Sequence, residues 1–306
     1  MISRADFVPV TENNRHILEH YFAQYPQYHS ESSIVTILTW NNYAPCSFTE
    51  YKNHLIIECT MDGERGIHAA IGKPDAELLE ELLIFAREEN CALEIYDEEN
   101  LQILKDTHPK IPITENRGYF EYCYSTEELA NLKGKKYLNI RGQINTFNSR
   151  WNYSVEKITD KNIHEVTKLI EEWSIEKHCE TDEIMKEEIN AVKYALENYK
   201  NLPIDGIAVW EIQNSESALI HFEKGLAQYP GIYKIITKET ARKLLGKVKW
   251  INRESDMDVH RTSRIKTQIP PRILHQSILH TAARHPCNTQ LNKSEQPTYK
   301  TDETAV

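Results

Sequence analysis

Trp250-Ile251-Asn252-Arg253-Glu254-Ser255-Asp256-Met257-Asp258 is a short apolar run that ends in an amide, a guanidinium and three carboxylates. About thirty residues earlier stands a matching run, Ala218-Leu219-Ile220-His221-Phe222-Glu223-Lys224-Gly225. The residues between them have helical period over 232–245. Two strands joined by a helix, each ending in charge, read as a βαβ unit. Ligands of open α/β sheets bind at the edge where such strands end.

The segment before this unit reads the same way. Ile204–Ile212 and Ala218–Glu223 are adjacent strands joined by the polar turn Gln213–Glu216, which has hairpin length. Helices are expected after Thr159 or Asp160 and again after Asp182. Trp151–Lys157 alternates like a strand. In the first half, residues 12–24 have helical spacing and 33–40 read as a buried strand. His54–Cys59 and Gly66–Gly72 read as further strands. Pro74-Asp75 opens a helix whose apolar face carries Leu78, Leu79, Leu82, Phe85 and Ala86. Leu93–Tyr96 is a strand, Glu98–Lys105 a short helix and Gly118–Tyr124 an aromatic strand. Ser125 and Glu128 have capping-box spacing. Each half thus runs helix, strands, helix, strand, a weak structural repeat without a sequence period.

At 306 residues the chain has room for two ordinary domains. Its 40% hydrophobic and 27% charged residues are those of a soluble protein. No apolar run approaches the ~20 residues that span a bilayer. Residues 1–6 contain no apolar h-region, so a secretory signal is not expected. The six scattered cysteines form no CxxC pair and suggest reduced thiols in a cytoplasmic setting. Net charge is −10, which disfavours indiscriminate nucleic-acid binding. The acid-free stretches 129–155 and 259–294 are basic, and suit either a phosphate-bearing substrate or a solvated surface.

The strand-end residues carry the candidate chemistry. Leu219, His221 and Glu223 would share one face by alternation, with Ile220, Phe222 and Lys224 on the other. His221 and Glu223 suit general-base work or the positioning of an amine, or are interior groups satisfied by hydrogen bonds. Arg253 suits bidentate recognition of carboxylate or phosphate, with Glu254 and Asp256 orienting it or binding an ammonium. A closed ion-pair network is the structural alternative. His275, His280 and His285 recur every five residues, which is not the spacing of metal ligands on one helix face. The P-loop, the GxSxG elbow, HExxH and a dinucleotide fingerprint are all missing.

Three motifs together resemble the family of the phosphatidylglycerol lysyltransferase C-terminal domain. They are Tyr122–Leu129 with Leu132–Tyr137, Arg141, Ile144-Asn145 and Phe147; Ile220–Lys224 with Gly231–Tyr233; and Ile251–Met257. The match covers roughly residues 10–258. The resemblance implies an α+β fold of two tandem GNAT-like acyltransferase domains, each a mixed sheet flanked by helices, and kinship with the FemABX aminoacyltransferases. The divisions expected are an N-terminal domain 1–132, a basic connecting segment 133–150, a site-bearing domain 151–270, and a disordered or divergent tail 271–306.

It further implies transfer of an aminoacyl group from aminoacyl-tRNA to a lipid, peptide or small-molecule acceptor. The family's membrane-spanning half is absent from this sequence, and with the cysteine usage and the lack of an apolar span the expectation is a cytoplasmic protein without integral membrane association, cofactor or metal. In that reading His221 or Glu223 deprotonates the nucleophile. Arg253 and Lys224 stabilise phosphate or oxyanion, and Glu254 and Asp256 orient Arg253 or hold the α-amino group. Lys135, Lys136, Arg141, Asn252 and Lys266 bind substrate. Two other readings are an acetyl-CoA-dependent N-acetyltransferase and a non-catalytic binding module. From Asp258 onward the chain lacks the family's glycine, leucine and Ser-Tyr positions, as a change of reading frame at the end of the gene would produce. Resequencing tests that.

Overall fold

A computed structural model describes residues 2–61, 63–200 and 208–255, and the backbone of 272–274 and 277–280. The elements of the first half are β1 (Val8–Pro9), α1 (Arg15–Gln24), α2 (Ile34–Thr39), β2 (Cys46–Tyr51), β3 (His54–Met61), β4 (Glu64–His68), α3 (Ala76–Glu88), β5 (Ala92–Ile95), α4 (Glu98–Thr107), β6 (Thr114–Glu115), β7 (Glu121–Ser125) and α5 (Thr126–Asn131). There follow α6 (Leu138–Asn148), α7 (Ile163–Glu176), α8 (Glu183–Glu197), β8 (Ala208–Ile212), β9 (Ser217–Glu223), α9 (Ile232–Leu244), β10 (Trp250–Ser255), β11 (Arg272–Leu274) and β12 (Ser277–His280).

The fold is α+β, with two mixed sheets flanked by helices. The first sheet has the order β1-β2-β3-β4-β5-β12-β6, the second β11-β7-β10-β9-β8. Each contains one parallel pair made by a helical crossover: β4 and β5 joined through α3, and β9 and β10 joined through α9. Each parallel pair is then bordered by an antiparallel strand from the opposite half of the chain. β7 pairs with β10, and β12 pairs with β5. The second sheet therefore draws strands from both sides of residues 133–150, the segment read as a connector, most of which is the helix α6.

Local chemistry accounts for the elements. Lys52 and Asn53 both have positive φ, at 50° and 61°, the geometry that joins β2 to β3 through a two-residue turn. The Asp75 carboxylate caps α3 by accepting from Glu77 and Leu78 N–H at 2.9 and 3.1 Å. Leu78, Leu79, Leu82, Leu83, Phe85 and Ala86 of that helix are buried against β3, β4 and β5 residues Ile56, Ile67 and Leu93. A central core lies between the sheets. Leu55 and Ile57 of the first and Val209 and Phe222 of the second meet Ile37, Leu38, Trp173 and Val192 there. The outer face of the second sheet packs Tyr122, Tyr124, Ile220 and Ile251 against α5, α6 and α9.

Three expectations are corrected. Residues 34–39 form a helix, not a strand. Ile34, Val35, Ile37 and Leu38 are buried at i, i+1, i+3 and i+4, and the Ser33 hydroxyl caps them by accepting from Thr36 N–H at 3.2 Å. The β-branched run hid that period. Trp151–Lys157 is an irregular connection whose residues 152–157 are exposed. Two cysteines are joined: the β2–β3 register sets Cys46 opposite Cys59, and the pair is disulfide-bonded. Hairpin register, not sequence spacing, brings them together. The tail residues of β11 and β12 add strands to both sheets.

Candidate active site

Strands β9 and β10 pair in parallel only at Ser217, Ala218 and Leu219 against Trp250, Ile251 and Asn252. Beyond that point they carry the charged residues read from the sequence. Both also depart from regular register there. On β9, Phe222 pairs with Val209 and Ile220 with Trp210, so His221 is an extra, bulged residue. On β10 the register with β7 shifts between Asn252 and Ser255, and Glu254 takes a positive φ of 56°. Bulges re-aim side chains and occur beside active sites. This one corrects the expected alternation: His221 points toward α2 and Glu223 toward α9.

His221 is buried and sits between two carboxylates. Its Nδ1 donates to Glu254 Oε1 at 3.0 Å and its Nε2 to Glu211 Oε1 at 3.2 Å. The Thr36 hydroxyl lies 3.5 Å from Nδ1, and the Ser33 hydroxyl donates to Glu211. Burial alone would lower the imidazole pKa, but the hydrogen bonds to Glu211 and Glu254 outweigh it and raise it to about 9. Near neutral pH His221 is therefore a cation that donates from both nitrogens.

Glu223 accepts from Arg253 Nη2 and, at 3.0 Å, from the Thr237 hydroxyl of α9. The Arg253 guanidinium lies 5.9 Å from the Tyr124 ring centre. Lys234, in the first turn of α9, is held below its usual range by burial and then by Arg253. A basic corner thus lies at the start of α9. The helix begins at Gly231, where φ is +95° and a Cβ would come 3.0 Å from the Gln143 carbonyl of α6. Any other residue there is strained and crowded.

Of the acidic side, the sequence reading named Asn252 and Glu254 and missed Glu31, Glu94 and Glu121. Asn252, fully buried, donates from Nδ2 to Glu121 Oε2 at 2.6 Å and to the Tyr28 carbonyl at 3.2 Å. Its Oδ1 accepts from Glu254 N–H at 2.9 Å, which holds the left-handed turn. Glu121 also accepts from Ser30 N–H at 2.8 Å, while Gln213 donates to the His29 carbonyl at 2.8 Å. These side chains pin the 27–33 loop across the second sheet and bring Glu31 into the junction. Its carboxyl is pushed up to about 8 by burial and then by repulsion from Glu94, Glu121 and Glu254. His68, at the end of β4, is pushed down to about 3 by burial and then by His29, so it is neutral. Its Nε2 lies 3.7 Å from Glu94 Oε2. The Nδ1 atom is buried with no hydrogen-bond partner among the described residues.

Three of the other expected site residues, Lys224, Lys136 and Arg141, have structural partners. Lys224 pairs with Glu188 and lies 4.1 Å from the Trp173 ring centre, on the helical side of β9. Lys136 pairs with Glu128 at 2.9 Å. Arg141 donates to the Leu132 and Gly134 carbonyls at 2.5 and 2.8 Å, closing the end of α5. Lys135 is exposed beside them. Asp256, Lys266, His275 and His285 lie outside the described residues. Only patterns at separate ends of the chain could have signalled Glu31, Glu94, Glu121 and Glu211, because four different elements bring them together.

Among the described residues no group of three or more His, Cys, Asp or Glu side chains is arranged to hold a metal ion. None of their helices is long and apolar enough to cross a membrane.

The sequence model of the phosphatidylglycerol lysyltransferase C-terminal domain matches residues 22–275, so the chain belongs to that family. The match runs past Asp258. No curated protein sequence matches the chain significantly. Among solved structures, a conserved protein of unknown function from Bacteroides thetaiotaomicron VPI-5482 is similar, with a TM-score of 0.80 at 24% identity. That match covers 89% of this chain and 98% of the other. L-PGS from Bacillus licheniformis is similar with a TM-score of 0.57 at 11% identity, covering 89% of this chain and 93% of that one. At these identities the likeness is one of fold.

Proposed function

We propose that the chain is an aminoacyltransferase that takes an aminoacyl ester of a phosphate-bearing carrier, of the aminoacyl-tRNA kind, and passes the aminoacyl group to an amine or hydroxyl. Family membership supports the reaction class. One observation carries the assignment of the substrate. Glu31, Glu94, Glu121 and Glu254 gather four carboxyl groups on one side of the β10 end, Glu31 keeping its proton near neutral pH until a cation arrives, while Arg253 and Lys234 gather positive charge on the other. An aminoacyl ester has the complementary polarity, an ammonium at one end and phosphate at the other. A cation beside Glu31 relieves the repulsion that raises its pKa.

In this reading Glu31 and Glu94 hold the donor's ammonium, and Arg253 with Lys234 faces its phosphate. Glu254 takes the proton of the incoming nucleophile. The nucleophile forms a bond to the ester carbonyl carbon, the carbon–oxygen ester bond breaks, and the proton passes to the leaving carrier hydroxyl. His221 is protonated near neutral pH and serves as a positioning residue for Glu254. It is not the base expected from its residue type.

The test is discharge of pooled, labelled aminoacyl-tRNAs in the presence of lipid, peptide and amine acceptors. The expected result is transfer of label, reduced about a hundredfold in Glu254→Gln and Arg253→Ala. Transfer that is unchanged in Arg253→Ala removes that residue from the mechanism. Discharge no faster than without protein, for every tRNA in the pool, overturns the assignment.

A further inference from the structure

A recess lies between Glu211 of β8 and the helix α1, and His221 is not among the residues that line it. It is a cavity of about 200 Å³ lined by Glu19, Phe22, Gln27, Ser33, Glu211 and Gln213, with Ala23 at its edge. Its chemistry is one-sided. Glu211 lines it with a buried carboxylate whose Oε1 takes both bonds described above, from Ser33 and His221. Gln213 donates its amide hydrogen to the His29 carbonyl, which turns its oxygen the other way. That Oε1 is buried without a hydrogen-bond partner among the described residues. Gln27 also spends its amide, on the Tyr25 carbonyl at 2.7 Å. At the rim Glu19 is paired with Arg15. The remaining wall, Phe22 and Ile34, is apolar.

A recess whose lining includes a carboxylate, an unpartnered amide oxygen, an aromatic ring and an aliphatic side chain favours a ligand that donates hydrogen bonds from a positive head on a short apolar stem. A buried acceptor left unpaired costs about 1–3 kcal/mol, which a donor entering the cavity would recover. The volume admits only a few heavy atoms besides the head group. We propose that this cavity binds a primary alkylammonium group, seated on Gln213 Oε1 and Glu211 with its chain along Phe22.

The site is coupled to His221 through Glu211. The charged and titratable groups facing His221 are Glu211 from β8 and Glu254 from β10, with the Thr36 hydroxyl from α2. An ammonium on Glu211 competes with the imidazolium for that carboxylate, so its binding makes His221 easier to deprotonate. By reciprocity, deprotonating His221 tightens the ammonium's binding. This inference does not rest on the transfer reading. None of the cavity's lining residues is one that the transfer reading places on the donor.

The experiment titrates the full chain with n-butylammonium chloride, and with n-butanol as the neutral isostere, by calorimetry and by the His221 ring resonances. The expected result is saturable binding of the ammonium at least about tenfold tighter than the alcohol, with the His221 titration displaced to lower pH at saturation. Gln213→Leu should weaken it about tenfold by removing the acceptor. Ala23→Leu, which keeps a good helix former and every hydrogen bond, should do the same by filling the cavity. Equal binding of ammonium and alcohol, or no saturable binding, overturns the proposal. So does ammonium binding that survives Ala23→Leu, because it would place the ion at the Glu31 junction instead. Aminoacyl transfer does not enter any of these readouts, so their failure leaves the proposed reaction standing.

Discussion

Glu31 shows most directly how a single buried carboxyl costs stability here. Its carboxyl is raised from 4.5 to about 8, so the folded protein holds a proton that the unfolded chain has released. Folding stability must therefore fall as pH rises from 4.5 through about 8. His221 acts over a neighbouring window. It is raised from 6.5 to about 9, so its stabilisation is full below 6.5 and is lost as pH rises through about 9. Glu31→Gln should remove the first loss and keep the second. Its melting temperature should exceed that of the parent by an amount that opens between pH 4.5 and 8, about 2–4 °C for each kcal/mol relieved. Thermal melts across pH check this. A variant no more stable than the parent at pH 8 would show that Glu31 is not a strained carboxylate. At this scale the sequence named His221, Glu223, Arg253 and Glu254 because they sit at the ends of two legible strands. Alternation could not reveal that a bulge separates His221 from Glu223. It was equally silent on Glu31 and Glu211, which arrive from a loop and from an edge strand.

Among the elements, the turn from α5 into α6 gives a structural role to Arg141, which the family resemblance places at a substrate. Leu132 ends α5 in the left-handed region, at φ 50°, and Arg141 binds its carbonyl and that of Gly134. Arg141 thereby satisfies carbonyls that a helix end leaves without partners. Arg141→Ala should lower stability by about 1 kcal/mol. Donor binding should be unchanged, which equilibrium denaturation and a tRNA-binding titration check together. A loss of binding without a loss of stability would return Arg141 to the substrate. The elements with strong periodic faces were legible, α3 and α8 with their Asp75 and Asp182 caps and α9 by its period alone. The helix α2 was not, since six residues give too few turns for its period to override a run of Ile, Val and Thr. The disulfide was hidden for a related reason: the partners meet only once β2 and β3 are in register.

At the scale of the molecule the halves are not separable pieces. β7, from the first half, completes the second sheet beside β10, and β12, from the end of the chain, enters the first sheet beside β5. A central core built from both halves joins them. A chain ending at residue 270 should leave the β5 edge uncovered. Hydrogen exchange should then show faster exchange of the amides of Ala92–Ile95, with those of β3 protected as before. Unchanged protection at β5 would mean that β12 contributes nothing to the sheet.

The same exchange sets an order for biosynthesis. β5 leaves the ribosome roughly 180 residues before β12 does. Throughout that interval its edge is open to any strand of another chain. The first sheet can seal only after β12 has been made, so a chain interrupted before that point should be the one most prone to pair with strands of other chains.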